Sequence, residues 1–146
     1  MRINTTRFGR IDIETDDLLH FASGLPGLED CQRWALLADA GNEALGWLQS
    51  TSRSDVALAV VSPRRFVPDY QVRIPRSELT PLAMRDLRDA QLLVVVARHA
   101  GALTLNLKAP IVINVEARTG RQVVASGDLP MRYELVGQRS PLKKSA

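Results

Sequence analysis

Apolar side chains recur at every second residue through most of this chain, and this alternation constrains the fold more than any other feature. The stretch Tyr70–Ile74 is apolar at its first, third and fifth positions, and Ile11 and Ile13 share one face of a shorter segment. A period of two is typical of β-strands, whereas an amphipathic helix repeats every three to four residues. Val56–Val61 is instead continuously apolar, which suits a strand buried on both faces. The pattern therefore predicts a mainly β protein.

Turn residues separate these apolar segments and set the number of strands. Gly, Pro, Asn and Asp favour turns because they adopt the backbone angles that turns need. Divided at these residues, the chain predicts a single-domain antiparallel β-barrel or sandwich of about nine or ten short strands with one short helix. The predicted strands cover 2–7, 10–13, 34–37, 45–49, 56–61, 70–74, 91–98, 102–107, 111–115 and 122–125, with a last strand at 131–136. The segment 16–30 is predicted to be a loop, residues 1–136 one domain, and 137–146 a mobile tail.

One segment, Ser77–Asp89, favours a short helix. Thr80 followed by Pro81 is typical of a helix N-terminus, because proline fits the first helical position. The apolar residues at helical spacing are Leu82, Ala83, Leu87 and Ala90. Asp86 lies on the apolar side of this helix and weighs against the prediction.

Composition excludes several classes of protein. Cys31 is the only cysteine, so an internal disulfide and a zinc site of several thiolates are impossible. The longest apolar runs fall far short of the ~20 residues that a membrane helix needs. The first residues also lack the apolar stretch of a signal peptide. We therefore expect a cytoplasmic protein with no membrane partner.

The net charge of +3 is unevenly distributed along the chain. Residues 1–73 sum to −2 and residues 74–146 to +5. The basic residues of the second half are dispersed, and no run of five to eight of them forms a nucleic-acid patch or a membrane anchor. The best local candidate for an RNA contact is Arg64-Arg65-Phe66, which would combine phosphate binding with base stacking. A small RNA-binding β-barrel is thus the alternative function.

Groups suited to catalysis or metal binding are sparse. A nucleophile needs a base within hydrogen-bond reach, and the candidates are Cys31 with His20 or His99. A lone cysteine is more often a small buried hydrophobic residue. Asp16-Asp17 could hold a hard cation, but a solvated pair is the commoner outcome, and histidines or cysteines at metal-binding spacing do not occur. We predict no catalytic residue, no metal and no cofactor, and hence a protein that is not an enzyme.

The segment Leu105–Asn114 mixes polar and apolar residues in a way that fits a binding protein. Pro110 interrupts it and lacks the amide that a central strand needs, so it marks an edge, a bulge or a crossing between strands. Asn106 and Asn114 can satisfy the backbone groups that such a break leaves unpaired. Alternatively, the break leaves a strand edge and a small apolar surface open to another protein.

Several motifs, this segment included, occur in one order over residues 3 to 135. They are Phe21–Glu29 (FASGLPGLE), Leu48–Ser50 (LQS), Pro63 with Pro68–Tyr70 (PDY), Asn106–Asn114 (NLKAPIVIN) and Gly120–Val123 (GRQV). Together they resemble the flagellar assembly factor family, FliW, and the block Asn-Leu-x-Ala-Pro-Ile-x-x-Asn beside Gly-Leu-Pro-Gly is the specific part. Leu28 departs from the family pattern, which commonly has phenylalanine there, and keeps an apolar anchor of another shape.

The resemblance implies a non-enzymatic protein of the bacterial cytoplasm, expected to be a monomer, that binds two alternative protein partners. One is newly made flagellin, kept soluble before export, and the other is CsrA, the carbon storage regulator, an RNA-binding translational repressor. In the family this repressor is antagonised allosterically. Export of flagellin frees the factor and relieves repression, whereas accumulating flagellin captures the factor and restores repression. No direct contact with nucleic acid is expected. The partner-binding positions implied are Gly24, Pro26, Gly27, Leu28, Gln49, Asp69, Tyr70, Asn106, Leu107, Ala109, Pro110 and Asn114.

Overall fold

A computed structural model describes residues 1–135, and eleven short strands form the framework of this part of the chain. The strands are β1 (Arg2–Thr5), β2 (Gly9–Asp12), β3 (Leu18–His20), β4 (Arg33–Ala38), β5 (Gly46–Ser50), β6 (Ala57–Val61), β7 (Gln91–His99), β8 (Ala102–Leu105), β9 (Ile111–Asn114), β10 (Thr119–Gln122) and β11 (Tyr133–Glu134). One turn of α-helix, α1 (Arg76–Leu79), and 3-10 turns at 15–17, 63–65, 80–82 and 87–89 complete the regular structure. The predicted mainly β fold with one short helix is confirmed.

Seven strands close into a barrel in the order β7-β6-β5-β4-β3-β10-β9, with β9 pairing again with β7. All neighbours are antiparallel except β3 and β10, which meet in parallel at the single pair His20 and Thr119. The ring closes because β7 is nine residues long and has two partners along one edge. Gln91–Leu93 pair with β9, and Val96–His99 pair with β8.

The second half of β7 continues beyond the barrel into an outer sheet. β8 returns from β7 through a tight turn in which Ala100 and Gly101 have φ of 52° and 82°. Positive φ at both central residues matches the turn that two-residue hairpins favour, and this turn joins the strands predicted at 91–98 and 102–107. β11 then adds to β8, with Tyr133 opposite Leu105. We call Val96–His99, β8 and β11 the flange.

Alternate residues of the barrel strands point inward and form the barrel core. The buried members of this core are Leu19, Phe21, Leu25, Cys31, Trp34, Leu48, Val60, Leu93, Ile111 and Ile113. The intervening residues of β6, β7 and β9 pack outside the barrel, in a second cluster against the flange and a third against α1. The prediction of burial on both faces is confirmed at Val60 and Val61, which contact different clusters and are each 1% exposed.

The parallel seam between β3 and β10 depends on one glycine. A Cβ atom at Gly120 would lie 2.4 Å from Cζ of Phe21, far inside van der Waals contact. The Phe21 ring meets Trp34 edge to face, with ring centroids 6.3 Å apart. At the shortest strand pairing of the barrel, the Phe21 ring therefore packs directly against the backbone of Gly120.

Of the helix predicted over Ser77–Asp89, only the first turn is α-helical, and the prediction is wrong beyond Leu79. α1 covers a single turn, and the 3-10 turn after it ends at Ala83, whose φ of 59° is left-handed. Thr80 is not an N-cap, because its hydroxyl donates at 3.1 Å to a carbonyl four residues earlier. Asp86 instead caps the separate turn 87–89 by accepting a hydrogen bond from the N–H of Arg88 at 2.9 Å. The polar residue on the apolar side of the predicted helix thus begins a new element.

The predicted strand at Tyr70–Ile74 is extended but does not join a sheet. Its burial alternates as expected, with residues 70, 72 and 74 shielded and 71 and 73 exposed. It pairs only at an isolated bridge between Arg73 and Ser126. No neighbouring strand among residues 1–135 lies beside Gln71 and Val72, so the ladder that defines a strand is missing.

Three further predictions are corrected at their boundaries. The segment 16–30 is not loop throughout, because β3 lies within it and a three-residue strand leaves little periodicity to read. β10 begins at Thr119 instead of 122, and it includes Gly120 of the seam. Beyond its end, the N–H groups of Val123 and Ala125 donate single hydrogen bonds to the carbonyls of Pro110 and Lys108. β11 covers two residues of the predicted 131–136. Val136, the domain boundary and the tail 137–146 lie outside the described residues.

Candidate protein-binding surface

The Gly-Leu-Pro-Gly motif forms a tight turn. The N–H of Leu28 donates to the carbonyl of Leu25 at 2.7 Å, with Pro26 and a positive-φ Gly27 between them, the arrangement of a type II turn. Gly24 is buried with φ of 62°, and a Cβ there would lie 2.6 Å from the carbonyl oxygen of Leu28. Pro26 and Gly27 are exposed, while Leu28 packs on the barrel core. We call residues 25–28 the proline turn.

Residues Asn106–Pro110 form a bulge between β8 and β9. On one side of it Leu105 pairs with Val96, and on the other Ile111 pairs with Leu93. The five residues 106–110 therefore lie opposite only two residues of β7, Val94 and Val95. The three additional residues let the chain pass from β8 in the flange to β9 in the barrel. Pro110 lies at this crossing, which is one of the three places predicted for it.

The backbone carbonyls of the bulge from Leu107 to Pro110 all accept hydrogen bonds from residues outside it. The side-chain Oδ1 of Asn106 accepts from the N–H of Ala109 at 3.1 Å, as predicted for a structural asparagine. The Tyr70 hydroxyl donates to the carbonyl of Leu107 at 2.7 Å. The next three carbonyls accept from Ala125 N–H, Gln122 Nε2 and Val123 N–H, in that order. No strand edge is left open at 107–110, so a partner has to contact side chains here.

Asn114 and Gln49 also serve the fold. Asn114 Nδ2 donates to the carbonyl of Leu82 at 2.8 Å, and its Oδ1 accepts from the N–H of Ala117, so it fastens the 3-10 turn 80–82 to the end of β9. Gln49 is wholly buried, and its Nε2 donates to the carbonyl of Ser50 at 2.9 Å. Its Oε1 has no hydrogen-bond partner within residues 1–135.

The Pro-Asp-Tyr motif places one residue inside the protein and one outside. Tyr70 is 3% exposed, whereas Asp69 is exposed to solvent. Burial raises the pKa of Tyr70 to about 12, and the nearby guanidinium of Arg64 opposes this shift only in part. The hydroxyl is therefore neutral at physiological pH and able to donate to Leu107.

A groove of about 390 Å³ brings the proline turn and the bulge together. Of the predicted binding positions it contains Pro26, Leu28 and Asn106. Its other lining residues are Leu25, Leu58, Val95, Ala97, Arg98, His99, Thr104, Gln122, Met131 and Arg132. Five other predicted positions are buried and do not line the groove: Gly24, Gln49, Tyr70, Leu107 and Pro110. We call it the proline-turn groove.

Several groove residues that sequence reasoning missed lie on the flange or immediately before its strand β11. Met131 is 66% exposed and is one of the large apolar side chains at the surface of residues 1–135. Arg132 Nη1 lies 3.2 Å from Nε2 of His99, and Arg98 is adjacent, while no acidic side chain lines the groove. The excess length of β7 over its partners is the one signal that could have indicated a sheet projecting from the barrel. The groove thus combines an apolar floor with a positive rim.

The candidate catalytic residues Cys31, His20 and His99 do not come together at one site. Cys31 is 0% exposed, with its Sγ 3.8 Å from an Asp30 carboxylate oxygen and 4.0 Å from the Ser52 hydroxyl, and no histidine hydrogen-bonds to it. His20 is exposed on β3, and only His99 lines the proline-turn groove. Within the described 135 residues, no three His, Cys, Asp or Glu side chains gather at one point suited to a metal ion. No helix in this part of the chain is long and apolar enough to cross a membrane.

The Arg64-Arg65-Phe66 candidate for RNA contact has other roles. Phe66 is half-buried and packs on the second apolar cluster. Arg64 Nε donates to the carbonyl of Tyr70 at 3.1 Å, and Arg65 lies 3.6 Å from a carboxylate oxygen of Glu43. The ring is therefore not presented for base stacking.

Comparison with known proteins identifies the relatives of this fold. The FliW protein family matches residues 2–135. The flagellar assembly factor FliW of Bdellovibrio bacteriovorus is 36% identical over 126 residues, covering 85% of this chain and 72% of its own length. That of Thermoanaerobacter pseudethanolicus is 34% identical over 131 residues, covering 88% and 87%. A crystal structure of the flagellar assembly factor FliW aligns with a TM-score of 0.85 at 27% identity, over 96% of this chain and all of the other. The chain therefore belongs to the FliW family of flagellar assembly factors.

Proposed function

We propose that this protein is a non-enzymatic cytoplasmic adaptor that binds flagellin and the translational regulator CsrA as alternative partners. Membership of the flagellar assembly factor family supports the flagellar role. Occupancy by flagellin withdraws the protein from CsrA, and export of flagellin returns it, so that the level of flagellin sets its own translation.

A switch of this kind needs only competition and a difference in affinity. If one partner excludes the other, the bound fraction of each follows its concentration divided by its dissociation constant. Each tenfold difference in affinity corresponds to about 1.4 kcal/mol. A single protein domain that acts as a monomer is sufficient.

The proline-turn groove is the surface that we assign to this binding. The observation that carries the assignment is that two motifs far apart in sequence, the proline turn and the Asn106–Pro110 bulge, line one groove with an apolar floor. Its exposed Met131 resembles the apolar anchors found at protein interfaces. The positive rim of Arg98 and Arg132 suits a partner surface with carboxylates and favours rapid, salt-sensitive association.

The direct test uses purified protein with flagellin and CsrA from the same organism. Size-exclusion chromatography is expected to give a stable complex with each partner, and a mixture of all three is expected to give no ternary complex. Absence of both complexes would contradict the adaptor function, and a ternary complex would contradict mutual exclusion.

A pair of matched variants tests the surface. Met131→Glu places a charge on the groove, whereas Val124→Glu makes the same change at a residue that is 68% exposed and lines neither groove described in this chain. Titration calorimetry with flagellin and with CsrA is expected to give at least about tenfold weaker binding for Met131→Glu, as for loss of an apolar interface anchor. The dissociation constant of Val124→Glu is expected to be unchanged. Equal affinities for both variants would place the contact elsewhere.

RNA binding is separated by its own measurement. Direct binding to nucleic acid falls steeply with salt, so a gel shift at low salt with RNA alone detects even a weak complex. The adaptor function predicts no shift with flagellin messenger RNA until CsrA is added. A shift by the protein alone would favour the RNA-binding alternative.

A further inference from the structure

A second groove, of about 950 Å³, lies on another part of the surface and shares no lining residue with the first. Its walls include the extended segment Gln71–Arg73, the start of β7 and the turn after Ser126. Three arginines line it, Arg64, Arg73 and Arg88, against one acidic residue, Asp128. We call it the arginine groove.

The extended wall of this groove has unused hydrogen-bonding capacity. The N–H and C=O groups of Gln71 and Val72 make no hydrogen bond within residues 1–135. The segment is nevertheless held straight, because Val72 packs on the second apolar cluster and Ile74 on the third. A strand-like segment with a vacant edge is the arrangement that accepts an added strand from another chain.

The charges of the groove indicate which kind of chain would fit. The guanidinium of Arg73 has no ion pair or hydrogen bond within residues 1–135, and Arg64 uses only Nε, on the carbonyl of Tyr70. Arg88 is held by Asp86 at 2.7 Å. Two arginines with free donors at either side of unpaired backbone suit carboxylates, which guanidinium binds in a bidentate fashion.

The chain's own C-terminal segment has the wrong charge for this groove. Residues 136–146 carry Arg139, Lys143 and Lys144 and no acidic residue. A second copy of the Gln71–Arg73 segment would likewise bring another Arg73 into the groove. Both self-derived occupants would add positive charge to a site that already has an excess of it.

We propose that the arginine groove binds an extended acidic segment of a partner polypeptide, which adds as a strand beside Gln71–Arg73 and sets its carboxylates on Arg64 and Arg73. The periodicity that predicted a strand at 70–74 is then a true strand signal whose pairing partner comes from another molecule. This site is independent of the proline-turn groove, so either proposal can fail without the other.

The test uses the full-length protein and a blocked heptapeptide that alternates glutamate with threonine. Titration followed by amide NMR is expected to give saturable shifts at Gln71, Val72 and Arg73. Successive amides of an extended segment point to opposite edges, so an added strand pairs with only one of the two. Hydrogen exchange at either the Gln71 or the Val72 amide is therefore expected to slow at least about tenfold on saturation, while the other amide stays unprotected. Shifts without protection would overturn strand addition, and shifts that map to the proline-turn groove would overturn the location.

Two controls make the charge requirement explicit. The lysine–threonine heptapeptide of the same length is expected not to bind, and Arg73→Glu is expected to weaken the acidic peptide at least about tenfold. Arg53→Glu makes the same change at an exposed residue outside both grooves and is expected to leave the affinity within about twofold. Equal binding of both peptides, equal effects of both variants, or preferential binding of an RNA oligonucleotide to the same amides would each overturn the proposal.

Discussion

The hydroxyl of Tyr70 donates a 2.7 Å hydrogen bond to the carbonyl of Leu107, thirty-seven residues away in sequence. Both residues are buried, at 3% exposure each. The bond ties the long connection after β6 to the bulge between flange and barrel, and thereby fixes the wall from which Asn106 reaches the proline-turn groove.

Removal of this hydroxyl is expected to destabilise the protein. Tyr70→Phe leaves the Leu107 carbonyl buried without a donor, which costs about 1–3 kcal/mol of unfolding free energy. Urea denaturation followed by circular dichroism measures the loss. Tyr133→Phe is the matched control, because its hydroxyl makes no hydrogen bond within the described residues and its ring is only half-buried. Equal losses in the two variants would show that the Leu107 bond is not the cause.

The same tyrosine makes stability depend on alkaline pH. Its pKa is raised from 10.0 to about 12 by burial, so the contribution is fully present below pH 10 and is lost as the pH rises toward 12. Over this window the unfolded state releases a proton that the folded state retains, and the unfolding free energy falls by roughly 1.4 kcal/mol for each pH unit. Urea titrations between these pH values are expected to show this fall in the parent protein and a smaller one in Tyr70→Phe. Parallel curves would contradict the assignment.

Two glycines of the proline-turn motif are expected to differ in their tolerance of alanine. Gly24→Ala adds a Cβ 2.6 Å from the Leu28 carbonyl, in addition to left-handed strain. Gly27→Ala meets no atom within 4 Å and incurs only the strain, about 1–2 kcal/mol. Overpacking adds roughly 1–3 kcal/mol at Gly24. Chemical denaturation of both variants gives the difference, and a larger loss at Gly27 would contradict this account of the turn.

The seam of the barrel is tested at Gly120. Gly120→Ala pushes a methyl group into the Phe21 ring and is expected to cost about 1–3 kcal/mol. Phe21→Leu in the same chain removes the clash, so the double variant is expected to lose less than the sum of the two single variants. Additive losses in a double-mutant cycle would show that the two residues do not press on each other.

The turn between β7 and β8 contains an alanine in an unfavourable conformation, which a substitution can relieve. Ala100 has φ of 52°, a conformation that asparagine and glycine adopt more easily than alanine. Ala100→Asn gives the Asn-Gly pair typical of this turn and is expected to stabilise the fold by about 0.5–1 kcal/mol. A rise in melting temperature measures it. Ala22→Asn, at an exposed residue without positive φ, is the control and is expected to change nothing measurable.

Local pattern was a good guide for most strands that have a neighbour to pair with. The strands predicted at 2–7 and 10–13, those at 91–98 and 102–107, and the two-faced burial of Val60 and Val61 could all be predicted, because alternation and turn residues reflect local geometry. The helix at 77–89 failed because a left-handed Ala83 is invisible in sequence. The parallel contact of β3 with β10 was out of reach, since one pair of residues across ninety-nine positions leaves no periodic trace.

The lining of the proline-turn groove could be predicted from the sequence only in part, for a similar reason. The proline turn and Asn106 were named from motifs, and they do line one groove. Arg98, Met131 and Arg132 were not, because their place depends on how the flange leaves the barrel. Gln49 and Tyr70 belong to the motifs that were read as binding positions, yet both are buried, so a motif residue need not be accessible to a partner.

One uninterrupted strand, β7, is a member of both the barrel and the flange. The flange cannot tilt against the barrel without bending that strand and breaking its hydrogen bonds on both edges. The distance between Val95 and His99, which both line the proline-turn groove, is consequently fixed by this strand. In the proposed binding, conformational adjustment therefore falls to the partner chain.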